Sequence, residues 1–182
     1  MEEIFPYCRE WIYVNCWHKS PHECSAMWSL YGEGKNAVCI FTTEDKLESQ
    51  VQKNQDIDKL IVKPVTYINH ENAQFDSDPL TPFTAKSLPF TFEKEVRLIA
   101  YHSQKNIESK VKNDKPGVAL SINSLSQFID KLVVSPNSYS WFIDSVKKLC
   151  LERDLNVEVR KSSLCKKRFT DIFDVLENLN FT

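Results

Sequence analysis

Two carboxylates and a guanidinium recur at alternate positions in Thr91-Phe92-Glu93-Lys94-Glu95-Val96-Arg97-Leu98-Ile99-Ala100. In an extended strand, alternate side chains point to the same face. Glu93, Glu95 and Arg97 would then share one face, followed by Ile99 and Tyr101. Phe92, Val96, Leu98 and Ala100 would take the other, interrupted only by Lys94. Two carboxylates about 7 Å apart, with a guanidinium next in line, suit acid–base chemistry or the gripping of a polar ligand. The plain alternative is a solvent-facing, salt-bridged strand.

The elements that must position these residues are legible in outline. Trp11–Trp17 is rich in aromatic and β-branched residues and predicts a strand. Ser20-Pro21-His22-Glu23 has the pattern of a capping box, so a helix is expected from there through Met27, Trp28 and Tyr31 to Gly32. Ala37–Phe41 predicts a buried strand, and Thr42 or Thr43 caps a short helix carrying Leu47 and Val51. Leu60–Ile68 predicts a strand at a sheet edge or with a bulge, because Pro64 cannot donate to a ladder.

An irregular segment is expected from about 69 to 89, holding Pro79, Pro82 and Pro89, and another from 104 to 117. Val118–Ile122 and Lys131–Val134 predict strands around a short helix near Leu125–Ile129. Ser138 is placed to cap a helix with the apolar stripe Trp141, Phe142, Val146 and Leu149. Val157 and Val159 mark a last strand, and a terminal helix is expected over 168–182. The expectation is an α+β fold: one domain over 1–182, with a mixed, mostly antiparallel sheet flanked by helices.

At 182 residues, 42% hydrophobic and 12% aromatic, the chain can bury roughly 70% of its unfolded surface. A net charge of −2 supplies no general basic field for nucleic acid, and Arg160-Lys161 through Lys166-Lys167-Arg168 is too short to replace one. No apolar run approaches the length of a membrane span, and the acidic start Met1-Glu2-Glu3-Ile4 is unlike a secretory signal. With six scattered cysteines, a reducing cytoplasm and free thiols are expected.

Several segments together resemble a bacterial family of domain-of-unknown-function proteins, some of them named as abortive phage-resistance factors of the AbiGi type. They are Tyr13-Val14-Asn15-Cys16-Trp17-His18, Ser25-Ala26-Met27-Trp28-Ser29-Leu30-Tyr31 and Ala37-Val38-Cys39-Ile40-Phe41-Thr42-Thr43. Phe92-Glu93-Lys94-Glu95-Val96-Arg97 and Ile129-Asp130-Lys131-Leu132-Val133-Val134-Ser135-Pro136 complete the set, over about 11–163. Relatives carry an upstream segment with an Asp-Pro-Phe-Glu-like motif, so the resemblance implies either a naturally short or split version or a sequence whose start is missing. It also implies a role in bacterial conflict, with no reaction assigned.

Two functions stand out. One is a protein-interaction module retaining a nucleotide-type site at Glu93, Glu95 and Arg97. The other is an NAD-using enzyme, because Glu-x-Glu on a strand resembles the layout of ADP-ribosyltransferases. There Glu95, or Glu93, would polarise a ribose hydroxyl and Arg97 would hold a phosphate. Trp17 and Trp28 would stack on a base, and His18, Ser25 and Asn15 would supply polar contacts. His18 and Ser25 are therefore expected to border one cleft with the carboxylates. Glu95→Gln should abolish turnover with little harm to an exposed strand face. Cys16-Trp17-His18 to Cys24 holds four soft ligands, but gaps of one and three residues fit structural zinc poorly, so no metal is assigned. A Cys–His nucleophile or a nuclease has less support still: no feature lowers a thiol pKa, and Asp76 and Asp78 lack a lysine at strand spacing.

Overall fold

Alternating aromatic and β-branched residues put Ile12–His18 into an extended strand, β1, which reaches one residue further than expected and so includes His18. The computed structural model describes residues 10–32, 35–69, 71, 78–103, 113 and 115–164. Cys8, Cys165 and the expected helix at 168–182 lie outside the described residues. The described strands and helices fall into two compact units, one formed by residues 1–20 with 43–128 and the other by 21–42 with 129–182.

The first unit is built on the antiparallel sheet β1-β7-β4, with β7 (Glu95–Tyr101) in the middle. β4 (Lys59–Pro64) is an edge strand of it, as Pro64 predicts. The chain breaks at Val65 and resumes as β5 (Thr66–Ile68), paired in parallel with β6 (Ala85–Ser87). Between them, Thr81–Thr84 makes a single turn, α3. β6 leads into a 3-10 helix at Leu88–Glu93. Thr43 caps α2 (Glu44–Gln50), its hydroxyl accepting from the Lys46 N–H, and Leu47 enters the core. β3 (Val51–Gln52) pairs with β8 (Ser121–Ile122), and α4 (Leu125–Phe128) lies against α2. The core gathers Leu47, Ile57, Val65, Val96, Leu98, Ile99 and Phe128.

The second unit centres on β9 (Lys131–Val134), whose Leu132, Val133 and Val134 are all buried. β9 has parallel β10 (Glu158–Lys161) on one side and antiparallel β2 (Val38–Phe41) on the other. The β9–β10 crossover is α5 (Ser140–Glu152). α1 (Ser25–Tyr31) also belongs to this unit.

The α+β class and mostly antiparallel pairing agree with the sequence reading, with the strands among the described residues distributed over four small sheets. Local expectations fail where a tertiary partner intervenes. The helix expected from Ser20 begins at Ser25, with Cys24 at its N-cap. Glu23 cannot complete a capping box, because Arg160, Ser162 and Ser163 hold its carboxylate. β2 is a half-exposed strand with Val38 and Ile40 outward, in place of a buried one. Ser138 donates to the Ser135 carbonyl, and Tyr139 takes the N-cap of α5. The inner face of α5 runs through Phe142, Ile143, Val146 and Cys150, while Trp141 and Leu149 face out.

Candidate functional site

The ladder register decides which side chains can meet. Residues directly opposite in an antiparallel pair share a face. His18 stands opposite Glu95, Cys16 opposite Arg97, and Lys63 of β4 lies across from Arg97 on its other side. His18, Cys16, Glu95, Arg97 and Lys63 therefore occupy one face of the central sheet. Trp17, Asn15 and Tyr13 stand opposite Val96, Leu98 and Ala100, on the other face.

Glu93 is not on the strand. It ends the 3-10 helix, and Lys94 then turns the chain through a left-handed conformation (φ 43°) before β7 begins at Glu95. The two carboxylates still meet, because Lys86 of β6 lies between them. Its Nζ is 2.5 Å from Glu93 Oε2 and 3.2 Å from Glu95 Oε1. On the far side, Arg97 donates through Nε and Nη2 to Glu95 Oε2, at 3.0 and 2.6 Å. Arg97 Nη1 reaches the Phe83 carbonyl at 2.6 Å. The Glu95 N–H donates to the Tyr67 hydroxyl, and His18 Nδ1 donates to the Glu93 carbonyl at 2.5 Å. Among the described residues, His18 Nε2 is buried without a hydrogen-bond partner.

Both carboxylates are buried, and the cluster balances two negative against two positive charges. Burial works to raise the Glu95 pKa, but the hydrogen bonds and charges of Arg97 and Lys86 bring it below the ordinary value. Burial likewise opposes the Lys86 ammonium, and its hydrogen bonds to Glu93 and Glu95 raise its pKa nonetheless. Burial and then the Glu95 charge push the Cys16 thiol up, against the pull of Arg97. A thiol shifted that way is a weak nucleophile at neutral pH.

Of the residues singled out from sequence, Glu93, Glu95, Arg97 and His18 come together. Trp17 and Asn15 do not join them. The Trp17 ring meets Phe128 edge-on at 6.0 Å, and its Nε1 donates to Asn15 Oδ1. Asn15 is exposed. Ser25 and Trp28 belong to the second unit. The sequence reading missed Lys86 and Lys63. Lys86 sits in the segment expected to be irregular. Lys63 holds Asp78 at 2.6 Å, which is the lysine partner that spacing alone did not reveal.

No family model, curated protein or solved structure matches the chain. Among the described residues there is no group of three or more metal-ligating side chains, and no helix is long and apolar enough to cross a membrane. In the second unit, an open cleft of about 550 Å³ lies between the end of α5 and β10, with Cys150, Leu155 and Val159 among its lining.

Proposed function

We propose that this chain is a protein-interaction module of bacterial conflict systems, in which the Glu95 cluster fastens a surface segment in place instead of performing catalysis. One observation carries the reading: both oxygens of Glu95 are engaged by cations of the chain itself. A carboxylate so committed, with its pKa lowered, has little basicity to offer a substrate hydroxyl. Arg97 is likewise spent on Glu95 and the Phe83 carbonyl. The resemblance to phage-resistance proteins supports the conflict setting. Large apolar side chains at the surface, among them Phe90 and Phe92 of the 3-10 helix, support a binding role.

Incubation with NAD separates this module from an ADP-ribosyltransferase-like enzyme using Glu95. The module reading expects no nicotinamide release over hours, no thermal shift with NAD, and a host protein that co-purifies with the wild type but not with a Phe90→Ser/Phe92→Ser variant. Nicotinamide release that disappears in folded Glu95→Gln would overturn it in favour of the transferase.

A further inference from the structure

Residues 81–93 are built inside out. Leu88, Phe90 and Phe92 are 51%, 44% and 43% exposed, while the two residues of the segment that are buried, Thr84 and Glu93, are both polar. Apolar burial therefore does little to hold this segment down. Its own secondary structure is one turn of α3, three residues of β6 and a 3-10 helix. The β5–β6 ladder is parallel, two-stranded and three residues long, well short of what is stable alone.

What fixes the segment is polar. Lys86 bridges to Glu93 and Glu95, Arg97 grips the Phe83 carbonyl, and His18 Nδ1 grips the Glu93 carbonyl. Both ends are anchored separately. Asp78 is held by Lys63, and the Lys94 carbonyl accepts from the Lys19 N–H at 2.9 Å. A weakly packed segment between two fixed points, tied down by a few ionic links, is the kind that opens locally below the global unfolding limit.

We propose that residues 81–93 form an ion-latched strap that opens as a unit from the intact β1-β7-β4 sheet and bares Glu95 and Arg97. Closed, the strap supplies Lys86 to Glu95 and the Phe83 carbonyl to Arg97. Open, it exposes the Glu95–Arg97 pair with Glu95 Oε1 released from Lys86 and Arg97 Nη1 released from the Phe83 carbonyl, able to take a ligand carrying both a donor and an acceptor. The strap rests on the reading of the Glu95 cluster as a fastener, and it carries Phe90 and Phe92 of the proposed binding surface.

Hydrogen exchange with peptide-level mass spectrometry tests it on the full chain. In the wild type, strap peptides should exchange faster than the β7 peptide covering 95–101, with little dependence on low denaturant, whereas β7 follows global unfolding. In Lys86→Met, which leaves Glu93 and Glu95 facing each other without their shared cation, strap protection should fall by about tenfold or more while β7 stays protected. Equal rates and equal denaturant dependence for strap and β7 in the wild type would overturn the proposal. Strap protection unchanged in Lys86→Met would overturn it equally. Should that variant fail to fold, the wild-type comparison decides alone.

Discussion

Replacing Glu95 by Gln would leave Lys86 and Arg97 with one carboxylate fewer in a site where both lie mostly out of water. The sequence alone suggested an exposed strand face that would tolerate this change; burial reverses that expectation. Uncompensated buried charge is costly, although Gln can still accept from Arg97. Glu95→Gln should therefore cost about 2–4 kcal/mol, measured as a shift in denaturant midpoint. The pH dependence follows from the directions of the shifts. Glu95 is lowered from 4.5, so its contribution is complete above that value and fades as pH falls through the folded pKa. Lys86 is raised from 10.5, so its contribution is complete below that value and fades as pH rises through the folded pKa. Melting temperature should therefore decline more shallowly on the acid side in Glu95→Gln than in the wild type. Glu23 and Asp78 are also lowered, so some acid dependence persists in the variant. Acid limbs of identical steepness would show that Glu95 is not the group responsible.

Elements differ in how much of their stability is local. α2 has a cap, a polar outer surface and one buried leucine, so its N-terminus should behave as peptide models do. Thr43→Ala removes the acceptor of the Lys46 N–H and should cost about 1 kcal/mol in chemical denaturation. α1 ends differently. Gly32 follows it with φ −95°, a conformation any residue can adopt, so the glycine is there for space. A Cβ at Gly32 would lie 2.7 Å from the Trp28 carbonyl oxygen, a backbone atom that cannot swing aside. Gly32→Ala should thus destabilise the second unit despite the higher helix propensity of alanine, and loss of exchange protection in 25–31 would report it. The strap is the opposite case. Its elements are too short to persist alone, and its stability is lent by the β7 side chains.

For the whole molecule, each unit has its own apolar centre. Ile99, fully buried in the middle of β7, contacts a core that cannot close around a missing side chain without moving three strands. Ile99→Ala should cost about 2–5 kcal/mol, visible as a lower denaturant midpoint. A cost under 1 kcal/mol would mean that the centre of this sheet is loosely packed.

Periodicity and composition were enough to place β9 at Lys131–Val134, a cap at Thr42 or Thr43, an edge or bulge at Pro64 and the α+β class, because each depends on neighbours in sequence. That Glu95 and Arg97 share a strand face was also legible, since alternation is a local signal, whereas the place of Glu93 in a 3-10 helix was not. Tertiary structure decided what those residues face. Lys86 comes from β6 and Lys63 from β4, and no local pattern announces that Lys86 bridges Glu93 and Glu95 or that Lys63 holds Asp78. The same limit explains Glu23, whose capping pattern yields to Arg160 and Ser162 more than a hundred residues away. It explains Trp17 as well. Extending β1 to His18 fixed a register that sends His18 toward Glu95 and turns Trp17 to the opposite face. A one-residue step in a strand exchanges its faces, so membership of the site was settled by pairing, which only the folded chain specifies.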